Sequence, residues 1–121
     1  MHAYKIQRSP FIVPTSDGKL IEEHFGMASV NCGDFSVAHM IAPPGWSEPF
    51  QKPEFDEVTY IISGKKQFEI NGEIIVLEKK QSICVCKGSI VKYSNPFNEP
   101  VEYISFCIPA FTIERVKREP I

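Results

Sequence analysis

The 121-residue chain has no apolar run long enough to cross a bilayer. Its first ten residues, Met1 to Pro10, lack the hydrophobic core of a secretion signal, so a cytoplasmic location is the expectation. It has no surplus of charge: thirteen Lys and Arg stand against fifteen Asp and Glu, a formal net charge of -2. That balance gives no electrostatic reason to bind nucleic acid. Cysteine is sparse, and Cys32, Cys84, Cys86 and Cys107 contain no paired Cys-x2-Cys, which excludes the usual zinc modules. There is no internal repeat, low-complexity tract, linker or long amphipathic helix. What remains is one soluble domain over residues 1–121, with neither nucleic acid nor membrane as partner.

Short strands and many turns are what is present. Ten prolines and seven glycines punctuate short apolar runs, and 43% of the residues are hydrophobic. Tyr4 and Ile6 allow a short edge strand, and Leu20 to Phe25 reads as extended or irregular. Phe35 to Ile41 is a strand with Phe35, Val37, His39 and Ile41 on one side and Ser36, Ala38 and Met40 on the other. Either side can face the interior. Glu57 to Ile62 is β-branched and aromatic, and Ser63-Gly64 stops it. Lys66–Ile70 and Glu73–Leu77 flank Asn71-Gly72, the signature of a type I′ hairpin. Ser82–Cys86, Ile90–Tyr93 and Val101–Ile108 are further strands, and the tail 111–121 is a strand or a short helix. This pattern predicts an all-β antiparallel barrel or sandwich.

One stretch organises the chain. From Gly45, the spacing runs to Gln51, Pro53, Glu57 and Gly64. That frame resembles the first motif of the cupins, G-x5-H-x-H-x3-E-x6-G, with both histidine positions changed. The second motif, G-x5-P-x-G-x2-H-x3-N, aligned on Gly88, matches at Gly88 and Asn95, while its other positions fall on Lys80, Cys86 and Val91. Pro109-Ala110-Phe111 is similar to the usual cupin ending. The resemblance spans residues 30 to 112. It implies a double-stranded β-helix, a jelly-roll-like barrel, and a homodimer. Apolar residues left on outer faces also call for cover.

The departures from the motifs bear on function. The family holds one transition metal with three histidines and a glutamate, and here those positions are Gln51, Pro53, Glu57 and Val91. Proline and valine cannot ligate, and a glutamine oxygen is a weak ligand where imidazole is preferred. No metal and no other cofactor is therefore expected. The chain is similar in this respect to cupins of ethanolamine utilisation, which keep an Asp-Glu pair like Asp56-Glu57. It is also similar to small metal-independent cupin dehydratases of nucleoside-antibiotic pathways, which use His, Lys and Tyr for proton transfer.

The candidate catalytic residues are Glu57, Tyr93 and His39. On the frame that the cupin resemblance implies, Glu57 should point inward, and a buried carboxyl group is a natural general acid or base. Tyr93 can donate a proton or orient a substrate, or be a core tyrosine. His39 is a catalytic group or a satisfied core histidine. Gln51, Trp46, Thr59 and Val91 are the expected substrate contacts, with Trp46 stacking at the mouth or packing in an interface. Lys19, Lys65-Lys66 and the charges of 114–119 read as solvated, as do His2 and His24. Cys84 and Cys86 share one face of a strand; burial, redox and metal roles stay open. The expected function is binding of a small polar metabolite, with metal-independent dehydration, isomerisation or epimerisation. The alternatives are a ligand-sensing accessory cupin, and a metalloenzyme using Glu57, His39 and a cysteine.

Overall fold

A computed structural model describes residues 3–119; the surface position expected of His2 and the last two residues of the tail lie outside them. Among the described residues, nine strands form two antiparallel sheets. They are β1 (Phe11–Ile12), β2 (Leu20–Phe25), β3 (Ser36–Ala42), β4 (Asp56–Ser63), β5 (Lys65–Ile70), β6 (Glu73–Glu78), β7 (Ser82–Val85), β8 (Val91–Ser94) and β9 (Val101–Ile108). The larger sheet runs β1-β2-β3-β9-β4-β7 and the smaller β6-β5-β8. This is the antiparallel double-stranded β-helix expected from the sequence.

Local chemistry explains the turns. Asn71 and Gly72 both take positive φ, 48° and 86°, as a type I′ hairpin requires, and β5 and β6 pair in register from Ile70↔Glu73 to Lys65↔Glu78. Gly64 joins β4 to β5 at φ 79°, where an added Cβ would lie 2.3 Å from the Pro100 carbonyl oxygen. Only glycine fits there. Asn95 is fully buried; its amide donates to the carbonyls of Ala42, Pro43 and Glu99, and its Oδ1 accepts from Phe97 N–H. It ties three loops together at the end of β8.

Side-chain alternation sets which groups face inward. On β4 these are Glu57, Thr59 and Ile61; on β9, Val101, Tyr103, Ser105 and Cys107. The interior packs Ala42, Trp46, Ile61, Phe68, Val85, Val91, Tyr93, Val101 and Tyr103 into one cluster. On β3 the inward side is Ser36, Ala38 and Met40, which line the cavity described below.

Several segments differ from expectation. Tyr4 and Ile6 form no strand and are exposed; the edge strand is β1. Leu20 to Phe25 is a regular strand with a bulge between Glu23 and Phe25. Met27–Val30 makes one helical turn that the sequence pattern does not announce. In the tail, Ile113–Val116 is a helical turn capped by Thr112, whose Oγ1 accepts from Arg115 N–H at 3.2 Å. The residues after it return to the barrel: Glu119 N–H donates to Phe50 O at 2.9 Å, and Lys52 N–H to Lys117 O at 3.1 Å. This closure brings Arg118 to the cavity rim.

Candidate functional site

The barrel encloses a cavity of about 710 Å³ between β2, β3, β4, β5, β8 and β9. Glu57, Tyr93, Lys66, Lys19, Tyr103 and Gln51 all line it. Each arrives by a simple geometric route. Lys19 precedes β2 and continues its alternation, so Lys19, Ile21 and Glu23 share the cavity side. A turn holds it there: Asp17 Oδ1 accepts from Lys19 N–H at 3.1 Å and Thr15 Oγ1 donates to Lys19 O at 2.6 Å. Lys66 is on β5, inward with Phe68.

Tyr93 Oη donates to Glu57 Oε1 at 2.8 Å, joining the two candidate proton carriers across the barrel. Burial, and then the charge and hydrogen bond of Glu57, hold the Tyr93 phenol well above its ordinary value, so it remains a donor. Burial raises Tyr103 in the same way. The Tyr103 hydroxyl is fully buried and has no hydrogen-bond partner among the described residues. Such a group typically costs about 1–3 kcal/mol, which a polar ligand atom can recover.

The two lysines are the unexpected part of the site. Lys66 is 2% exposed. Its Nζ lies 3.7 Å from the ring centroid of Tyr103, 4.5 Å from Tyr93 and 5.1 Å from Phe68. Among the described residues it forms no salt bridge. Burial, and then the nearby positive charge of Lys19, lower the amine to about 7, against the pull of Glu57 and Glu48. The aromatic rings favour the cation but do not restore its hydration. Lys19 is also lowered by burial, but it keeps a carboxylate partner, Glu48 Oε2 at 3.8 Å, and lies over Trp46 at 4.3 Å. Arg118 completes the rim: Nη2 donates to Glu48 Oε2 at 3.0 Å and Nε to Gln51 Oε1 at 3.2 Å.

Other expected site residues are placed elsewhere. His39 lies on the outer face of the large sheet, with Nδ1 2.7 Å from Glu22 Oε1 and Nε2 2.6 Å from Glu102 Oε2. The alternation of β3 sends Ala38 and Met40 inward and His39 out, so His39 is no catalytic group for this cavity. Burial works against its charged form, but the hydrogen bonds that the imidazolium donates to Glu102 and Glu22 outweigh it and raise the imidazole above its ordinary value. Thr59 and Val91 do face inward, but both are fully buried and do not line the cavity. Trp46 is not at the mouth; its Nε1 donates to Asp17 Oδ2 at 2.8 Å and its ring supports Lys19. Cys84 and Cys86 are exposed, and Cys107 is buried against the cavity.

The residues at the family's metal positions do not fit a metal. Gln51 Oε1 already accepts from Arg118, Glu57 accepts from Tyr93, Val91 is core and Pro53 has no donor atom. Lys19 directs positive charge toward the same space. Glu57 and His39 sit on opposite faces, so the unconventional set with a cysteine is not assembled either.

Sequence reasoning missed Lys19, Lys66 and Glu48. The signal for Lys66 was available: it shares a strand face with Phe68 and Ile70. Lys19 shares one with Ile21. Glu48 stands on a loop, where no periodicity applies.

These placements give a stability prediction. The unfolded chain binds more protons than the folded one between about 7 and 10.5, so burial of Lys66 makes the folded protein gain stability as pH rises through that window. Lys66→Met removes the effect. Urea unfolding should show the variant more stable than wild type by roughly 2–4 kcal/mol at pH 6, with the difference shrinking toward pH 10. A difference independent of pH would contradict the assignment.

No family model matches the chain. It is 40% identical over 108 residues, 89% of its length, to a protein of Myxococcus xanthus (strain DK1622) named endoribonuclease YbeY, but spans only 37% of that relative. Among solved structures, an RmlC-like cupin from Shewanella frigidimarina NCIMB 400 superposes with TM-score 0.72 at 15% identity, over 91% of this chain and 93% of that one. The EutQ protein of Clostridium difficile superposes with TM-score 0.65 at 21% identity, over 78% and 65%. At these identities the likeness is one of fold.

Proposed function

We propose that this chain, a barrel of the cupin fold, binds a small polar metabolite and moves a proton on it without a metal. Dehydration, isomerisation and epimerisation are the reaction types this requires. The observation that carries the reading is the Tyr93–Glu57 hydrogen bond at the cavity wall, beside the enclosed amine of Lys66. Glu57 takes or returns the proton, Tyr93 supplies a second one, and Lys19 stabilises negative charge that develops on the substrate. Gln51 and Arg118 position the substrate at the rim.

The longer relative favours one second reading, an accessory domain whose cavity binds a ligand and reports it to an attached segment. An endoribonuclease activity is not assigned to this barrel. The net charge of -2 and the mixed signs around the cavity offer no basic track for a phosphate backbone. Among the described residues, no helix is long and apolar enough to cross a membrane. A cytoplasmic setting is part of the proposal, and the four unpaired thiols accord with it.

A thermal-shift screen of small metabolites identifies the ligand, since binding raises the melting point by mass action. With that ligand, Glu57→Gln should reduce turnover by about 10²–10⁴-fold. Turnover unchanged by the substitution would exclude the acid–base role, and an effect on affinity alone would favour the accessory reading. A homodimer is proposed as well, through the outer face where Val58, Tyr60, Ile104 and Ile108 are exposed side by side. Light scattering should give twice the chain mass in wild type and the single mass in Tyr60→Lys; a wild-type monomer would exclude it.

A further inference from the structure

We propose that Lys66 is a covalent nucleophile, whose amine condenses with the carbonyl of a small aldehyde or ketone admitted to the barrel. This rests on the proton-transfer reading above and names its substrate class. The argument begins with the environment of Nζ. It is walled by the rings of Tyr103, Tyr93 and Phe68, has no ion-pair partner among the described residues, and still borders the cavity. Two conditions activate a lysine as a nucleophile: desolvation in an apolar pocket and a neighbouring cation. Lys66 meets both, the cation being Lys19. The groups facing it are Lys19 before β2, Glu48 on the loop, Glu57 on β4, Tyr93 on β8, and Tyr103 and Cys107 on β9. Lys19 is the poorer nucleophile, because Glu48 and the Trp46 ring stabilise its ammonium form.

The step balances with groups at hand. The neutral Lys66 amine adds its electron pair to the carbonyl carbon, and a proton shift within the adduct gives a carbinolamine. One proton taken up from solvent and relayed through the Glu57–Tyr93 pair leaves with the carbinolamine hydroxyl as water, and the pair is left as carboxylate and phenol. A protonated imine to Lys66 results, with no oxidant or reductant needed. The Glu57 carboxylate then removes a proton from the carbon beside the imine, and the electron pair is held as the neutral enamine. That acidification of the neighbouring C–H is what a dehydratase or isomerase lacking a metal requires. The Tyr103 ring is the nearest to Nζ, and its hydroxyl has no hydrogen-bond partner among the described residues.

The test uses the whole chain, propionaldehyde and sodium cyanoborohydride at pH 7, with peptide mass mapping. The hydride traps the imine as a propyl amine. Lys66 should be labelled at least about tenfold faster than its exposed neighbour Lys65, because burial leaves much of the Lys66 amine neutral at that pH. Labelling of Lys66 no faster than Lys65 would overturn the proposal. A second measurement separates it from the reading beneath it: exchange of the C2 protons of propionaldehyde in D2O. Exchange lost in both Lys66→Met and Glu57→Gln supports the covalent route. Exchange lost in Glu57→Gln but kept in Lys66→Met overturns it and leaves proton transfer standing.

Discussion

Taking an ammonium group out of water is the constraint around which this barrel interior is arranged. Lys66 enters on a strand whose other inward residues are apolar, and the barrel closes over it. An ionised amine in such a place costs far more than a paired one at the surface. The fold answers in two ways. It gives Lys19 a carboxylate and an indole face, and it lets Lys66 approach neutrality among three aromatic rings. The result is one amine paired with a carboxylate and one near-neutral amine in the same cavity, beside a carboxyl–phenol pair.

This arrangement occupies the place where a metal-binding cupin gathers imidazoles. The loop from Gly45 still delivers Gln51 and Glu57 to the barrel, and Asn95 still ties its loops, so the scaffold is intact. The cavity presents amines and a guanidinium where the cupin motif places ligands for a cation. Arg118 on Gln51, and Lys19 beside Glu48, are placed where a divalent ion would be repelled. The site can still polarise a carbonyl or an enolate, through fixed ammonium and hydroxyl groups.

Much of the fold was legible because it is local. Asn71-Gly72 announced its hairpin, and β9 ran over the expected Val101–Ile108. The inward position of Glu57 followed from the resemblance to the cupin frame, and period-two alternation then put Thr59 and Ile61 on the same face. His39 was ambiguous because both faces of β3 are nearly apolar; only the neighbours Glu22 and Glu102, brought by β2 and β9, show which side is outer. Thr59 and Val91 point the right way but are fully buried, which alternation alone does not show. Lys19 and Lys66 were misread as solvated by residue type, although their strand faces indicated otherwise. Glu48 and Arg118 depend on loop closure and on the returning tail, which no local rule reaches.

The state of the Lys66 amine is the quantity on which the chemistry depends. It is read directly by carbon-13 NMR of the lysine Cε groups across pH, with the Lys66 signal identified by its loss in Lys66→Met. A midpoint near 7 is the predicted result. A midpoint near the ordinary 10.5 of a solvated lysine would contradict the account.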